Sequence, residues 1–210
     1  LPGITLAVLS GPTFAVEVAM GLPTAVTLAS KDADTVAALS KAISTPTFRA
    51  YRSDDVIGVE LGGAIKNVLA IGCGIIEGRK LGDNARAAFI TRGLAEIARM
   101  ATAKGADPET LVGLSGLGDL TLTCNAMQSR NFSLGVALGQ GQALGDILGE
   151  RSSVAEGVFT ASSAVQLAKT LNVEAPLCTA MDGILNNNAD INQTIQNLLA
   201  RPVGDEDPLG

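Results

Sequence analysis

The feature that most constrains this chain is the apolar run VIGVELGGAIKNVLAIGCGII, from Val56 to Ile76. It is long enough to cross a bilayer as a helix. It also carries Glu60, Lys66 and Asn67 in its interior. A charged group at a bilayer centre costs at least ~2.5 kcal/mol on insertion scales. The run therefore predicts the buried central helix of a soluble fold rather than a membrane span. A helix that is apolar on all sides is buried on all sides, so other helices must pack around it. The chain has 210 residues, 47% of them hydrophobic and 17% charged. That excludes disorder and suits one large domain or two small ones.

The pattern on either side of Asp54 differs. Ile4 to Pro12 reads as a buried strand ending at a Gly-Pro turn, Phe14 to Met20 as a short helix, and Thr24 to Ala29 as a β-branched strand. Asp32 to Ile43 reads as a helix with Asp34 at its start and Val36, Leu39 and Ile43 on one side. Phe48 to Arg52 reads as a third strand. Strands alternating with helices predict a parallel or mixed α/β sheet.

After Asp54 the strand signals stop. Asp83 to Lys104 carries Phe89, Ile90, Leu94, Ile97 and Met100 at helical spacing, with Gly105 as its cap. Asp107 and Pro108 restart a helix as N-cap and first residue. Gly113 to Cys124 reads as a glycine-punctuated turn before an apolar run. Arg130–Leu138, Gln142–Leu148, Thr160–Leu171 and Pro176–Asn186 read as further helices. The expected division is an incomplete α/β part over 1–54, an all-helical part over 55–200, and an acidic, frayed tail over 201–210. The start has neither an initiating Met nor a basic n-region, so no signal peptide is expected and the chain reads as beginning inside a longer one.

The charge balance is 15 basic against 21 acidic residues, net −6. That argues against a general nucleic-acid surface, which needs excess Lys and Arg. The chain has no His, which removes His general bases, Ser-His-Asp triads and His-ligated metals. Proton transfer must then use Lys, Asp, Glu, Tyr or Cys. Cys73, Cys124 and Cys178 are far apart and odd in number, as expected of reduced, buried thiols in a cytoplasmic protein.

Lys66 stands out because almost nothing polar surrounds it. A buried ammonium must be paired, neutralised or functional, and desolvation can turn a lysine into an acid/base near neutral pH. Gly62 and Gly63 strip the same face, so a backbone or a small ligand can come close. The structural alternative is a lysine paired with a carboxylate or reaching solvent. Asp119, after three glycines, is either a turn former or a partner for Lys66 or a hydroxyl. Ser129, Arg130 and Asn131 precede an apolar helical run. A helix start offers N–H donors to an anion, and Arg adds a bidentate fork. The alternative is an N-cap Ser beside a solvated Arg. Ser10 to Thr13 lies where a strand runs out, the place where α/β sheets bind ligands.

The segments SGPTFAVEVAMGLPTAVTLAS, ELGGAIKNVLAIGCGIIEG, GLGDLTLTC, SRNFSLG and AEGVFTA, in this order, resemble NAD(P)-dependent sn-glycerol-3-phosphate dehydrogenases of the bacterial type, over about residues 6 to 190. The resemblance implies an all-helical domain like the C-terminal domain of 6-phosphogluconate dehydrogenase, preceded by an incomplete Rossmann-type part. It implies interconversion of dihydroxyacetone phosphate and sn-glycerol 3-phosphate for glycerophospholipid synthesis, with NAD or NADP and no metal. It further implies a cytoplasmic enzyme, possible homodimers, and a GxGxxG loop and one more substrate-contacting lysine outside this chain. By motif, Lys66 matches the catalytic proton acceptor. Gly11, Thr13, Lys66, Asp119, Ser129, Arg130 and Asn131 match substrate contacts, with Ser common where Thr13 stands. Ala15, Arg130, Val154 and Glu156 match cofactor contacts, and Asn67 and Thr123 are second-line candidates. The reading from another class is a non-enzymatic helical module that binds a phosphorylated ligand or mediates oligomerisation.

Overall fold

The computed structural model describes residues 4–149 and 156–204. Its first part is one mixed sheet of three strands in the order β1 (Val8–Ser10), β2 (Thr24–Ala29), β3 (Phe48–Ser53). The pair β1–β2 is antiparallel, with Leu9 opposite Leu28. The pair β2–β3 is parallel, with Val26 opposite Ala50. Parallel neighbours need a crossover, and α2 (Ala33–Ile43) supplies it. A short α1 (Ala15–Ala19) leaves the end of β1.

Three expectations for this part need correction. The first strand is shorter than Ile4–Pro12 and is not buried: Leu6 is 77% exposed and Leu9 51%. It is an edge strand, with β2 on one side and no described strand on the other. Asp32, not Asp34, caps α2, accepting from the Thr35 N–H at 3.1 Å. It is the residue just outside the first turn, where a side-chain oxygen can reach the free N–H groups. Of the expected apolar face, only Val36 is buried, while Leu39 and Ile43 are exposed.

The described residues after Ser53 contain helices and no strand, as expected. The long apolar run forms α3 (Val56–Gly78), capped by Asp55, whose Oδ1 accepts from Gly58 N–H at 3.0 Å. Around it pack α4 (Asp83–Ala103), α5 (Pro108–Leu111), a π-helical turn (Leu114–Gly118), α6 (Asp119–Thr123), α7 (Arg130–Gly139), α9 (Glu156–Leu171) and α10 (Pro176–Asn186), while α8 (Leu144–Gly149) packs on α7 and α11 (Ile191–Leu199) on α10. Among the described residues α3 is the one helix apolar and long enough to cross a bilayer, and 72% of its apolar 18-residue stretch is buried inside the fold. Val68, Leu69, Ile71 and Cys73 are fully enclosed. Ile97 and Met100 of α4 meet α3 in the same core as Leu69, with Phe89, Ile90 and Leu94 packed at its edge.

The tightest contact joins α3 to α7. A Cβ on Gly135 would lie 2.0 Å from the carbonyl oxygen of Ile71, and one on Gly74 would lie 2.1 Å from that of Phe132. Only glycines let the two backbones touch. The glycine face of α3, which by itself favours self-association, is therefore covered from within the chain.

The remaining departures are local. The segment Gly113–Cys124 is helical rather than an open turn. Gly105 lies one residue beyond the cap Lys104, with φ +94°. Helix α9 starts at Glu156, four residues before the expected Thr160. Helix α8 spans Leu144–Gly149 rather than 142–148. Helix α11 was not anticipated; Asp190 caps it, and Ile191 and Leu198 pack on the core. Arg201–Gly204 carries no regular structure, and the rest of the expected tail lies outside the described residues.

Candidate active site

Lys66 is half-buried on α3 beside polar neighbours rather than enclosed by apolar ones, and it has a charged partner. The Lys66 ammonium is ion-paired with Asp119 Oδ2; the two side chains are 19% and 4% exposed. The pairing depends on close backbone approach. A Cβ on Gly62 would stand 2.7 Å from the Ser115 carbonyl oxygen, so the π-helical turn rests directly on α3 and sets Asp119 beside Lys66. A Cβ on Gly63 would stand 2.8 Å from Ser10 Oγ, so the end of β1 reaches the same place. Gly62 thus admits a neighbouring backbone, one of the two options left open by the sequence, and Gly63 admits a side chain.

Asp119 is held by more than Lys66. Thr123 Oγ1 donates to its Oδ1 at 3.2 Å and to its backbone carbonyl at 2.7 Å. The Gly11 backbone also favours its charged form. Burial pushes the Asp119 carboxyl above its ordinary value, against the pull of Lys66, Thr123 and Gly11. The thiols are poor alternatives for chemistry. Cys73, Cys124 and Cys178 are buried and unbridged. A hydrogen bond with Cys73 and burial raise the Cys124 thiol, and burial beside Glu96 raises Cys178. Both stay protonated, and a thiol is a weak nucleophile.

The polar triplet divides its labour. Ser129 caps α7, its Oγ accepting from the Phe132 N–H at 3.2 Å, so its N-cap reading holds. Arg130 Nη2 lies 3.0 Å from Glu156 Oε1. Asn131 is buried, and its Oδ1 accepts from the Gly157 N–H at 3.1 Å. Thr13 is exposed and donates to the Gly11 carbonyl at 3.1 Å.

Gly11, Thr13, Lys66, Asn67, Asp119, Thr123, Ser129, Arg130, Asn131 and Glu156 all line one cleft of about 560 Å³. The sheet, α3, α6, α7 and α9 each contribute. Two larger cavities, of about 890 Å³ beside β3 and 990 Å³ between α4 and α10, contain none of these residues. Convergent chemistry, not volume, distinguishes the smaller one. Ala15 is exposed on α1 and does not line the cleft. Val154 lies outside the described residues. Glu60 and Gln128 also line the cleft and were not anticipated as site residues. Glu60, Gly63 and Asn67 are spaced to share one helical face, a signal that could have found Glu60.

In chemical terms the cleft offers an ammonium fixed by a carboxylate, which can pass a proton to a carbonyl oxygen. It offers a guanidinium at a helix start, which suits a phosphate. The half-exposed carboxylate of Glu156 can accept from sugar hydroxyls. The fit to a nicotinamide dinucleotide is therefore partial. These groups can meet its hydroxyls, and the sequence holds no GxGxxG loop for its pyrophosphate.

Comparison with known proteins agrees with this geometry. Residues 55–196 match the family described as NAD-dependent glycerol-3-phosphate dehydrogenase C-terminus, and residues 1–36 match its N-terminus counterpart. Glycerol-3-phosphate dehydrogenase [NAD(P)+] of Rhodospirillum rubrum is 62% identical over 97% of this chain and 58% of that protein. The protein of the same name from Parvibaculum lavamentivorans is 55% identical over 98% of this chain and 62% of its own length. The crystal structure of glycerol-3-phosphate dehydrogenase from Coxiella burnetii superposes with a TM-score of 0.90 at 46% identity, over 94% of this chain and 61% of that one. The chain thus spans about three fifths of the length of the curated relatives it matches. Its helical portion, its mixed sheet and its ordered motifs place it in the NAD-dependent glycerol-3-phosphate dehydrogenase family.

Proposed function

We propose that this chain is the substrate-binding and catalytic part of an NAD(P)-dependent sn-glycerol-3-phosphate dehydrogenase. The division follows the change from sheet to helices, with 1–54 belonging to the nucleotide-binding part and 55–200 to the substrate part. The observation that carries the reading is the convergence of Lys66–Asp119 and Arg130 on one cleft. When bound, a reduced nicotinamide would supply the hydride that C2 of dihydroxyacetone phosphate needs. Lys66 gives its proton to the carbonyl oxygen as negative charge develops there, and takes it back in the reverse direction. Asp119 pairs with that amine and aims it. Arg130 and the first turn of α7 hold the phosphate, which fixes the carbonyl relative to Nζ. Ser129 and Asn131 act through the helix starts they hold rather than as free side chains. Glu156 faces the cofactor side of the cleft.

The three unbridged thiols support a reducing, cytoplasmic setting. The exposed apolar side chains Leu6, Val16 and Met20 support association, with a second copy as the expected homodimer partner.

The test is ligand-dependent thermal stability. Dihydroxyacetone phosphate or glycerol 3-phosphate at a hundred times its dissociation constant stabilises by about 2.7 kcal/mol. The shift should be lost in Arg130→Ala. A protein whose melting temperature ignores both phosphate esters at millimolar concentration is not built for them.

A further inference from the structure

Arg130 and Glu156 face each other at the cleft from the first turns of α7 and α9. Both side chains are about half-exposed, at 52% and 56%. The two helix starts do not depend on this pair. Beneath it the Gly157 N–H is held by buried Asn131 at 3.1 Å. A Cβ on Gly157 would stand 2.6 Å from the Asn67 carbonyl oxygen, so α9 rests directly on α3. Glu156 can therefore release Arg130 without α9 moving.

An anion that approaches Arg130 at this contact meets a carboxylate already on it. A phosphate dianion carries more charge and more acceptor oxygens than one carboxylate, so the exchange runs in its favour, but its affinity is reduced by the contact it must displace. We propose that Glu156 is a positioning residue for the phosphate-bearing substrate: its carboxylate holds the Arg130 guanidinium in the open cleft and, by competing for it, sets how tightly phosphate binds. This rests on the reading of Arg130 as the phosphate-holding group. The sign of the consequence is unusual. Neutralising a residue of the binding cleft should tighten substrate binding.

The size follows from exposure. Half-exposed ion pairs are weak, so Glu156→Gln should lower the dissociation constant by about 1.5- to 5-fold. The gain should fade toward 1 M salt, where the screening length is about 3 Å.

The experiment uses the full-length protein that carries this chain. Binding of inorganic phosphate is measured by calorimetry without cofactor, and KM for dihydroxyacetone phosphate is measured alongside. The proteins compared are wild type, Glu156→Gln, Arg130→Ala and the double variant. The expected result is tighter phosphate binding and lower KM in Glu156→Gln at low salt, with most of the gain absent when Arg130 is alanine. Unchanged or weaker phosphate binding in Glu156→Gln overturns the proposal. An equal gain in the Arg130→Ala background also overturns it, because the effect would then be simple repulsion. If Arg130→Ala alone leaves phosphate binding intact, the assignment of Arg130 itself fails, and the competition proposal falls with it.

Discussion

Replacing Lys66 by alanine should cost stability and activity together, with different dependences on pH. The change strips the cation from Asp119, whose side chain is 4% exposed. Removing one partner of a fully buried pair costs about 3–5 kcal/mol. Here Thr123 still hydrogen-bonds the carboxylate and the Gly11 backbone still favours its charge, and Lys66 is itself 19% exposed. About 2 kcal/mol is the expected loss at neutral pH. Its sign with pH is fixed by Asp119. Burial already holds that carboxyl above its ordinary value of 3.8, and losing the ammonium raises it further. A carboxyl raised in the folded state loses stability as pH climbs from the unfolded value through the folded one. The penalty of Lys66→Ala should therefore be small near pH 4 and full at about pH 7. Adding Asp119→Asn should recover part of it at neutral pH. Urea unfolding of the full-length protein across this range reads the first effect, and kcat against pH reads the second. A loss of roughly 10²–10⁴-fold in kcat is expected for a positioned acid/base. Lys66→Arg should not restore it, because guanidinium does not release a proton near neutral pH. A destabilisation that is flat with pH would refute the pairing argument. A near-normal kcat in Lys66→Ala, or full activity in Lys66→Arg, would refute proton transfer by the amine.

Further outcomes follow from other contacts. Gly135→Ala places a methyl 2.0 Å from the Ile71 carbonyl oxygen; forcing α3 and α7 apart should cost about 3 kcal/mol or more and raise KM, because α7 carries Arg130, whereas an unchanged unfolding midpoint would contradict the packing. Glu96, 2% exposed, accepts from the Leu177 and Cys178 N–H groups at 2.7 and 3.1 Å and caps α10 from another helix. Glu96→Gln should destabilise at neutral pH by about 1–3 kcal/mol. Because burial raises the Glu96 carboxyl, stability in wild type should also fall as pH rises from its ordinary 4.5 through the folded value, and this slope should flatten in the variant. The 210-residue chain alone should show no oxidation of NAD(P)H with dihydroxyacetone phosphate, for want of a pyrophosphate-binding turn; measurable turnover would show that the helical part binds the cofactor unaided.

The sequence by itself determined the change of architecture near Asp54, the buried central helix and the singular position of Lys66. Those are matters of local periodicity and of what an apolar neighbourhood tolerates, and both are written within a few turns of chain. It also isolated the Ser129–Asn131 triplet, because a cap followed by an apolar helical run is a local signal. The exposure of β1 was not legible, since burial of an apolar strand depends on whether anything covers it. Asp119 as the partner of Lys66 was only one option among turn former, hydroxyl partner and ion pair. The pair is separated by 53 positions, and it forms because Gly62 admits the Ser115 backbone. Glu156 entered by resemblance alone. What makes it a neighbour of Arg130 is the packing of α9 on α3 through Gly157, a steric fact about two helices remote in sequence. Tertiary structure alone decided which carboxylates and cations face one another, because charge pairing depends on distances that only close backbone packing sets.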